Sequence, residues 1–205
     1  MTDNEFLLID RLEKICSIIN KYGEENFILS FSGGKDSTVL HYLLDMALPD
    51  NKIPRVYANT GIEYNMIIDF VKSLAETDDR IVILKPSTPI KQMLETEGYP
   101  FKSKMHSKWL DTYQRNGKTQ SIENYIASDK KDKDLYRPCP KKLRYQFEED
   151  FKLRISDKCC KRLKEDPVKK YQKDNKKPYG ILGLMRSEGG RRFNAHCLAF
   201  TAGGG

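Results

Sequence analysis

The sequence predicts an α/β fold, a parallel sheet with helices on both faces. Three observations predict it. Short strand-like runs occur at residues 26–31, 55–58 and 81–84. The first two each end in a glycine-containing turn and lead into a segment whose apolar residues recur at helical spacing. The run 26–31 is apolar on both of its faces, as a strand covered from both sides must be. Strands alternating with helices at this interval imply right-handed βαβ units.

Each element has its own signals. Residues 5–22 carry Leu8, Leu12, Ile15, Cys16 and Ile19, one apolar stripe along a helix, with Thr2 or Asp3 available as N-cap. Cys16 belongs to that stripe and is read as a core residue. After the run 26–31 and Gly33-Gly34, a helix is expected to bury Val39, Leu40, Leu43, Leu44 and Ala47, and Pro49 closes it. Residues 55–58 form a second strand, 59–61 a turn, and Tyr64, Ile67, Ile68, Val71, Leu74 and Ala75 the stripe of a further helix. Residues 81–84 form the third strand.

From 86 to 134 the pattern weakens into short helical pieces around Met93, Leu94, Trp109, Leu110 and Tyr113, a basic helical insertion placed at about 99–135. Residues 141–152 are again helical, and Asp157 can cap a helix that carries Cys159 and Cys160. Asp166-Pro167 has the form of a cap and first turn for one more helix. Residues 179–185 are expected as a late strand. The 205 residues suit one domain.

Composition narrows the function classes. Hydrophobic residues make up 39%, aromatics 10% and charged residues 32%, which fits a packed core and argues against disorder. No apolar run approaches the roughly 20 residues of a membrane span. The N-terminus is acidic at Asp3, Glu5 and Asp10 and lacks the order of a secretory signal, so a cytoplasmic protein with reduced cysteines is expected. A net charge of +7 favours anionic partners without naming one. The late lysine runs are either a surface for nucleic acid, a pocket for phosphate or sulfate, or an ordinary solvated face.

The chemistry concentrates in Ser30, Ser32, Gly33, Gly34, Lys35, Asp36 and Ser37, set between a buried strand and a helix start. Glycines let backbone N–H groups approach an anion, and the helix N-terminus adds partial positive charge. Lys35 adds a full charge, and Ser32 and Ser37 offer hydroxyl donors. The spacing is not that of a Walker A loop. The alternative is a plain Gly-Gly turn with a helix cap at Asp36. Arg186, Arg191 and Arg192 present planar forks suited to phosphate or sulfate, with Glu188 to orient one of them, or else form a surface salt-bridge patch.

Ser32-Gly33-Gly34-Lys35-Asp36-Ser37 resembles the signature of the PP-loop proteins, whose Rossmann-like fold is that of the adenine nucleotide alpha-hydrolases. Within that superfamily the chain resembles the phosphoadenosine/adenosine phosphosulfate reductases at two further segments. One is Asn59-Thr60-Gly61-Ile62-Glu63; the other runs from Gly183 through Arg186 and Glu188 to Arg192. Asn59 departs from the family's usual Asp, and so cannot act as a carboxylate.

Cys159-Cys160, followed by Lys164 and Pro167, resembles the paired cysteines that begin cluster ligation in the iron–sulfur reductases. The resemblance therefore implies a 4Fe–4S cluster that this chain leaves incomplete. Cys139 and Cys197 are the weaker candidates to join the pair; buried structural thiols and zinc are the alternatives. The family's terminal segment bearing the attacking cysteine is absent, and the glycine-rich ending raises the expectation of a truncated member. His106 in the basic insertion is a candidate substrate contact, and His41 a structural residue.

The resemblance implies an enzyme that binds a sulfonucleotide and reduces its sulfate to sulfite with a thiol reductant. Two alternatives stand beside it. One is an ATP-cleaving PP-loop enzyme that uses magnesium to adenylate or thiolate tRNA or DNA; the other is a non-catalytic nucleotide-binding module. A homo-oligomer is also open, and no membrane partner is expected.

Overall fold

The computed structural model describes residues 2–127 and 138–184. The chain divides into two compact units. Residues 1–84 and 168–205 make up the first, and 85–167 the second.

The first unit is built on a four-stranded sheet of order β3-β2-β1-β4, with β1 at Phe27–Ser30, β2 at Arg55–Ala58, β3 at Ile81–Leu84 and β4 at Tyr179–Ile181. All three pairings are parallel, with Leu29 opposite Arg55 and Ile181, and Tyr57 opposite Ile83. The expected α/β, Rossmann-like parallel sheet is present. The chain winds outward from β1 to β3 and then returns to β4 on the other side of β1. The order therefore reverses between β1 and β4, and in open parallel sheets such a reversal opens a crevice at the carboxyl ends of the strands.

Helix α1 (Asp3–Tyr22) begins with a capping box: the Thr2 hydroxyl accepts from Glu5 N–H and the Glu5 carboxylate accepts from Thr2 N–H at 2.7 Å. Its second half buries Ile19, and Cys16 Sγ lies 3.1 Å from the Ala47 carbonyl. Leu8 is exposed, so the stripe covers only the later turns. α2 (Lys35–Ala47) buries Ser37, His41 and Leu44. Val39 is exposed, one step around the helix from the face that meets the sheet. α3 (Asn65–Thr77) buries Val71 and packs Ile67, Leu74 and Ala75 on the core, whereas Tyr64 is its exposed N-cap residue. Phe27, Leu29, Phe31, Ile53 and Tyr57 supply the sheet's share of that core.

The second unit holds α4 (Ile90–Glu97), α5 (Lys104–Asn116) and α6 (Gln120–Ala127). Both of the latter two lie within the segment expected as an insertion. Its core gathers Leu110, Ile122, Tyr125, Cys139, Leu143, Phe147 and Ile155. The helix expected over 141–152 is a 3-10 helix at Lys141–Phe147. Tyr99 and Ile155 form a single parallel bridge.

Past Cys159 and Cys160 the backbone takes a π turn at Lys161–Glu165 and passes directly into α7 (Asp166–Asp174). Asp166 has helical dihedrals and donates its N–H to the Lys161 carbonyl, five residues back. Asp166-Pro167 therefore starts no new helix. Proline lacks the N–H for an i−4 bond and crowds that carbonyl, and the wider π turn just before it absorbs both defects. Asp157 caps nothing in the structure; the Ser156 hydroxyl accepts from Lys158 N–H instead. No helix among the described residues is long and apolar enough to cross a membrane.

Candidate functional site

The loop between β1 and α2 is braced from within. Ser37 Oγ accepts from Ser32 N–H (3.2 Å), lies 3.0 Å from Ser32 Oγ, and donates to the Gly34 carbonyl (3.0 Å). Ser32 Oγ also accepts from Gly34 N–H at 3.3 Å. Ser37 is buried, so its hydroxyl holds the loop's shape, while Ser32 stays exposed. Ser30 ends the strand below, half-buried.

The helix N-terminus above this loop is open. Gly34 is the N-cap residue of α2 and has no side chain to cap it, whereas Thr2 and Ser103 cap α1 and α5 with their hydroxyls. Asp36, the other reading for a cap, does not serve. First-turn N–H groups are thus left for an external acceptor, with the helix dipole behind them. The Lys35 side chain is 84% exposed and its ammonium is 3.9 Å from Asp36 Oδ1. It is free to swing onto an anion.

At the carboxyl end of β2 a second loop is equally ordered. Glu63 accepts from Thr60 N–H (3.0 Å) and Thr60 Oγ1 (2.8 Å), and Asn59 Oδ1 accepts from Gly61 N–H (3.0 Å). Asn59 thereby performs the turn-forming role open to an amide. At the carboxyl end of β4, Gly183 packs on α2: a Cβ there would stand 3.1 Å from the Asp36 carbonyl oxygen. A side chain here would crowd the first helical turn. The carboxyl ends of β2, β1 and β4, adjacent in the sheet, thus carry Asn59–Glu63, Ser32–Ser37 and Gly183. Arg186, Glu188, Arg191, Arg192 and Cys197 lie outside the described residues.

Tyr57, on β2 just before this turn, was not singled out from the sequence. It is buried, and its hydroxyl has no hydrogen-bond partner among the described residues. Burial, and then the charge of Glu63, push its phenol above the usual range. The one available signal was a polar-tipped aromatic in a strand just before the Asn59–Gly61 turn.

Cys139, Cys159 and Cys160 belong to the second unit. Cys160 is exposed and Cys159 half-buried. Burial, and then the neighbouring Cys160, push the Cys159 thiol up. Its basic neighbours in sequence Lys158 and Arg162 each bind Glu97 at 2.7 Å. Cys139 is packed in the unit's apolar core and its thiol is likewise pushed up by burial. Among the described residues no three His, Cys, Asp or Glu side chains stand together as a metal-holding group. The pair and Cys139 therefore do not by themselves fit an iron–sulfur cluster. His106 is buried between Tyr125 Oη (2.9 Å) and Gln146 Oε1 (2.8 Å), so it is a core residue and not an open substrate contact.

The phosphoadenosine phosphosulfate reductase domain model matches residues 26–136, a stretch that includes both ordered loops. An uncharacterized protein of Methanocaldococcus jannaschii is 37% identical over 103 residues, covering 45% of this chain and 25% of that protein. The chain spans a quarter of the length of this curated relative.

Proposed function

From the premise that the chain belongs to the phosphoadenosine phosphosulfate reductase domain family, we propose that it binds a sulfonucleotide at the loop after β1 and reduces its sulfate to sulfite with thiol electrons. The observation that carries this reading is the uncapped start of α2, braced by Ser32 and Ser37 beside the point where the strand order reverses. That position suits the anionic end of an adenine nucleotide.

The chemistry asks little of the site beyond electrostatics. A thiolate of the thiol reductant attacks sulfur, the bond from sulfur to the bridging phosphate oxygen breaks, and the nucleotide monophosphate leaves with that electron pair. A second thiol then releases sulfite and leaves a disulfide. Negative charge grows on the departing phosphate, and fixed donors that meet it there lower the barrier. Lys35 and the open N–H groups of α2 are those donors. Arg186, Glu188 and Arg192 would hold the other anionic groups.

Calorimetric titration with adenylyl sulfate, its 3′-phosphorylated form and ATP tests the reading. Lys35→Ala removes a charge-assisted contact worth about 1.5–3 kcal/mol, so affinity should fall roughly 10- to 150-fold. Gly34→Val should abolish binding while the fold survives, since a Cβ at Gly34 meets only Ser32 Oγ, at 3.3 Å. Unchanged affinity in both variants removes the loop from the site. Pyrophosphate release from ATP, with no preference for sulfonucleotides, replaces reduction by the ATP-cleaving reaction, in which magnesium would accompany the phosphates.

A further inference from the structure

Many cations of this chain are neutralised within their own unit: Lys14 by Asp10, Arg55 and Arg80 by Asp45, Arg115 by Asp111, and Lys158 and Arg162 by Glu97. The lysines of α7 and the turn after it are crowded into one short stretch. Between residues 168 and 177 there are five lysines and one acid, Asp174. Among the described residues, Lys169, Lys173 and Lys176 make no ion pair. Together with Lys177, Gln172 and Pro178 they line an open pocket of 390 Å³ that includes no carboxylate.

The placement is specific. Lys169 and Lys173 are one helical turn apart, about 6 Å at the α-helical rise, and Lys176 follows in the turn after α7, on the same pocket. Lys177 is fastened by its ammonium to the Glu25 carbonyl at 2.7 Å, and Lys177 N–H donates to the Gln172 carbonyl, which fixes the rim of the pocket. Glu25 precedes β1 and the pocket precedes β4, so this surface lies at the amino end of the sheet, away from the loop of Ser32–Ser37. The helix dipole accounts for one cation in the last turn, Lys173, and not for the row.

We propose that this lysine row is a sequence-independent nucleic-acid contact that tracks successive phosphates of one strand, distinct from the nucleotide site. A single small anion would be held by convergent, buried donors, whereas Lys169, Lys173 and Lys176 are exposed around an open pocket. A membrane surface would call for apolar side chains among the cations, and none but Pro178 lines this pocket. Flexible ammoniums spaced along a helix suit a polyanion whose backbone repeats.

The test is fluorescence anisotropy of the full chain with labelled single-stranded RNA, single-stranded DNA and duplex DNA, at several salt concentrations. The three arms also tell which polymer is preferred. Replacing Lys169, Lys173 and Lys176 with Glu should weaken binding at least about tenfold at low salt and reduce the salt slope by about two to three. The same three positions changed to Gln should give a smaller loss in the same direction. Both variants should keep wild-type nucleotide titrations, and Lys35→Ala should keep nucleic-acid binding, so failure of this surface and failure of the nucleotide site are separable. The proposal is overturned if the wild-type chain binds none of the three polymers, if the charge reversal leaves affinity and slope unchanged, or if the chain binds anionic phospholipid vesicles and no nucleic acid.

Discussion

At Gly33 the backbone takes φ +69°, and a Cβ built there would stand 2.8 Å from Val71 Cγ2 and 2.9 Å from Ile67 Cγ2. Its neighbour Gly34 has φ −83° and meets only a hydroxyl. The two glycines read identically in the sequence, as a pair that lets backbone approach an anion. The structure separates them: Gly33 is required by the packing of α3, whereas a Cβ at Gly34 would meet only Ser32 Oγ. Nothing local could reveal this, because the contact to Val71 spans 38 residues and depends on the completed sheet. Gly33→Ala should therefore destabilise the fold by about 2–4 kcal/mol, combining left-handed backbone strain with overpacking. Gly34→Ala should leave stability within about 1 kcal/mol and act on nucleotide affinity instead. Urea unfolding of the two variants beside the titrations checks the split; equal destabilisation would place both glycines in the packing.

At the scale of elements, strand positions were the most legible part of the chain, and helix boundaries near proline the least. Residues 55–58 and 81–84 are strands as expected because their flanking turns are local. Pro167 misled because proline at a helix start and proline after a π turn look alike in sequence; only the Asp166 N–H, bonded five residues back, distinguishes them. The same helical stretch carries the cysteine pair, where expectation and structure also part. Lys158 and Arg162 flank the pair in sequence, but Glu97, more than 60 residues away in sequence, takes up both. With burial pushing Cys159 up, its thiolate fraction at neutral pH falls below that of a free cysteine. Alkylation with iodoacetamide at pH 7, followed by peptide mass analysis, should modify exposed Cys160 first and Cys159 more slowly than a free thiol. Glu97→Gln should accelerate Cys159 by releasing the two cations; an unchanged rate would exclude them as a controlling influence.

Over the first unit as a whole, the two ends of the sheet differ, and only the carboxyl end, with its glycine loop, was visible in sequence. The opposite end holds a buried ion network that no motif announces, since its members lie in α2, in the turn before β2 and beside β3. Arg55 is fully buried, donating to Asp45 (2.7 Å), Asn51 (2.6 Å), His41 Nδ1 (3.2 Å) and the Ile53 carbonyl. Arg80 bridges Asp45 and Asp78 at 2.7 and 2.8 Å. Burial alone would raise Asp45, but the bonds from Arg80 and Asn51 and the charge of Arg55 outweigh it and hold the carboxyl low. Asp78 is held low chiefly by its bond from Arg80. Burial, and then Arg55, lower His41.

All three shifts leave the unfolded chain binding more protons, so stability must rise with pH through each window. The His41 contribution is complete above its unfolded value of 6.5 and fades as pH falls through the lowered folded value. The carboxylate contributions are complete above about 3.8 and fade below it. Acid should therefore weaken the protein in two stages, measurable as urea midpoints at pH 7.5, 5.5, 4 and 3. Asp45→Ala leaves the Arg55 guanidinium buried without its carboxylate, a loss of about 3–5 kcal/mol at neutral pH, and should flatten the lower stage because one of its two titrating carboxyls is gone. A variant that unfolds at the wild-type midpoint throughout would show that Asn51 and the Ile53 carbonyl suffice to hold Arg55.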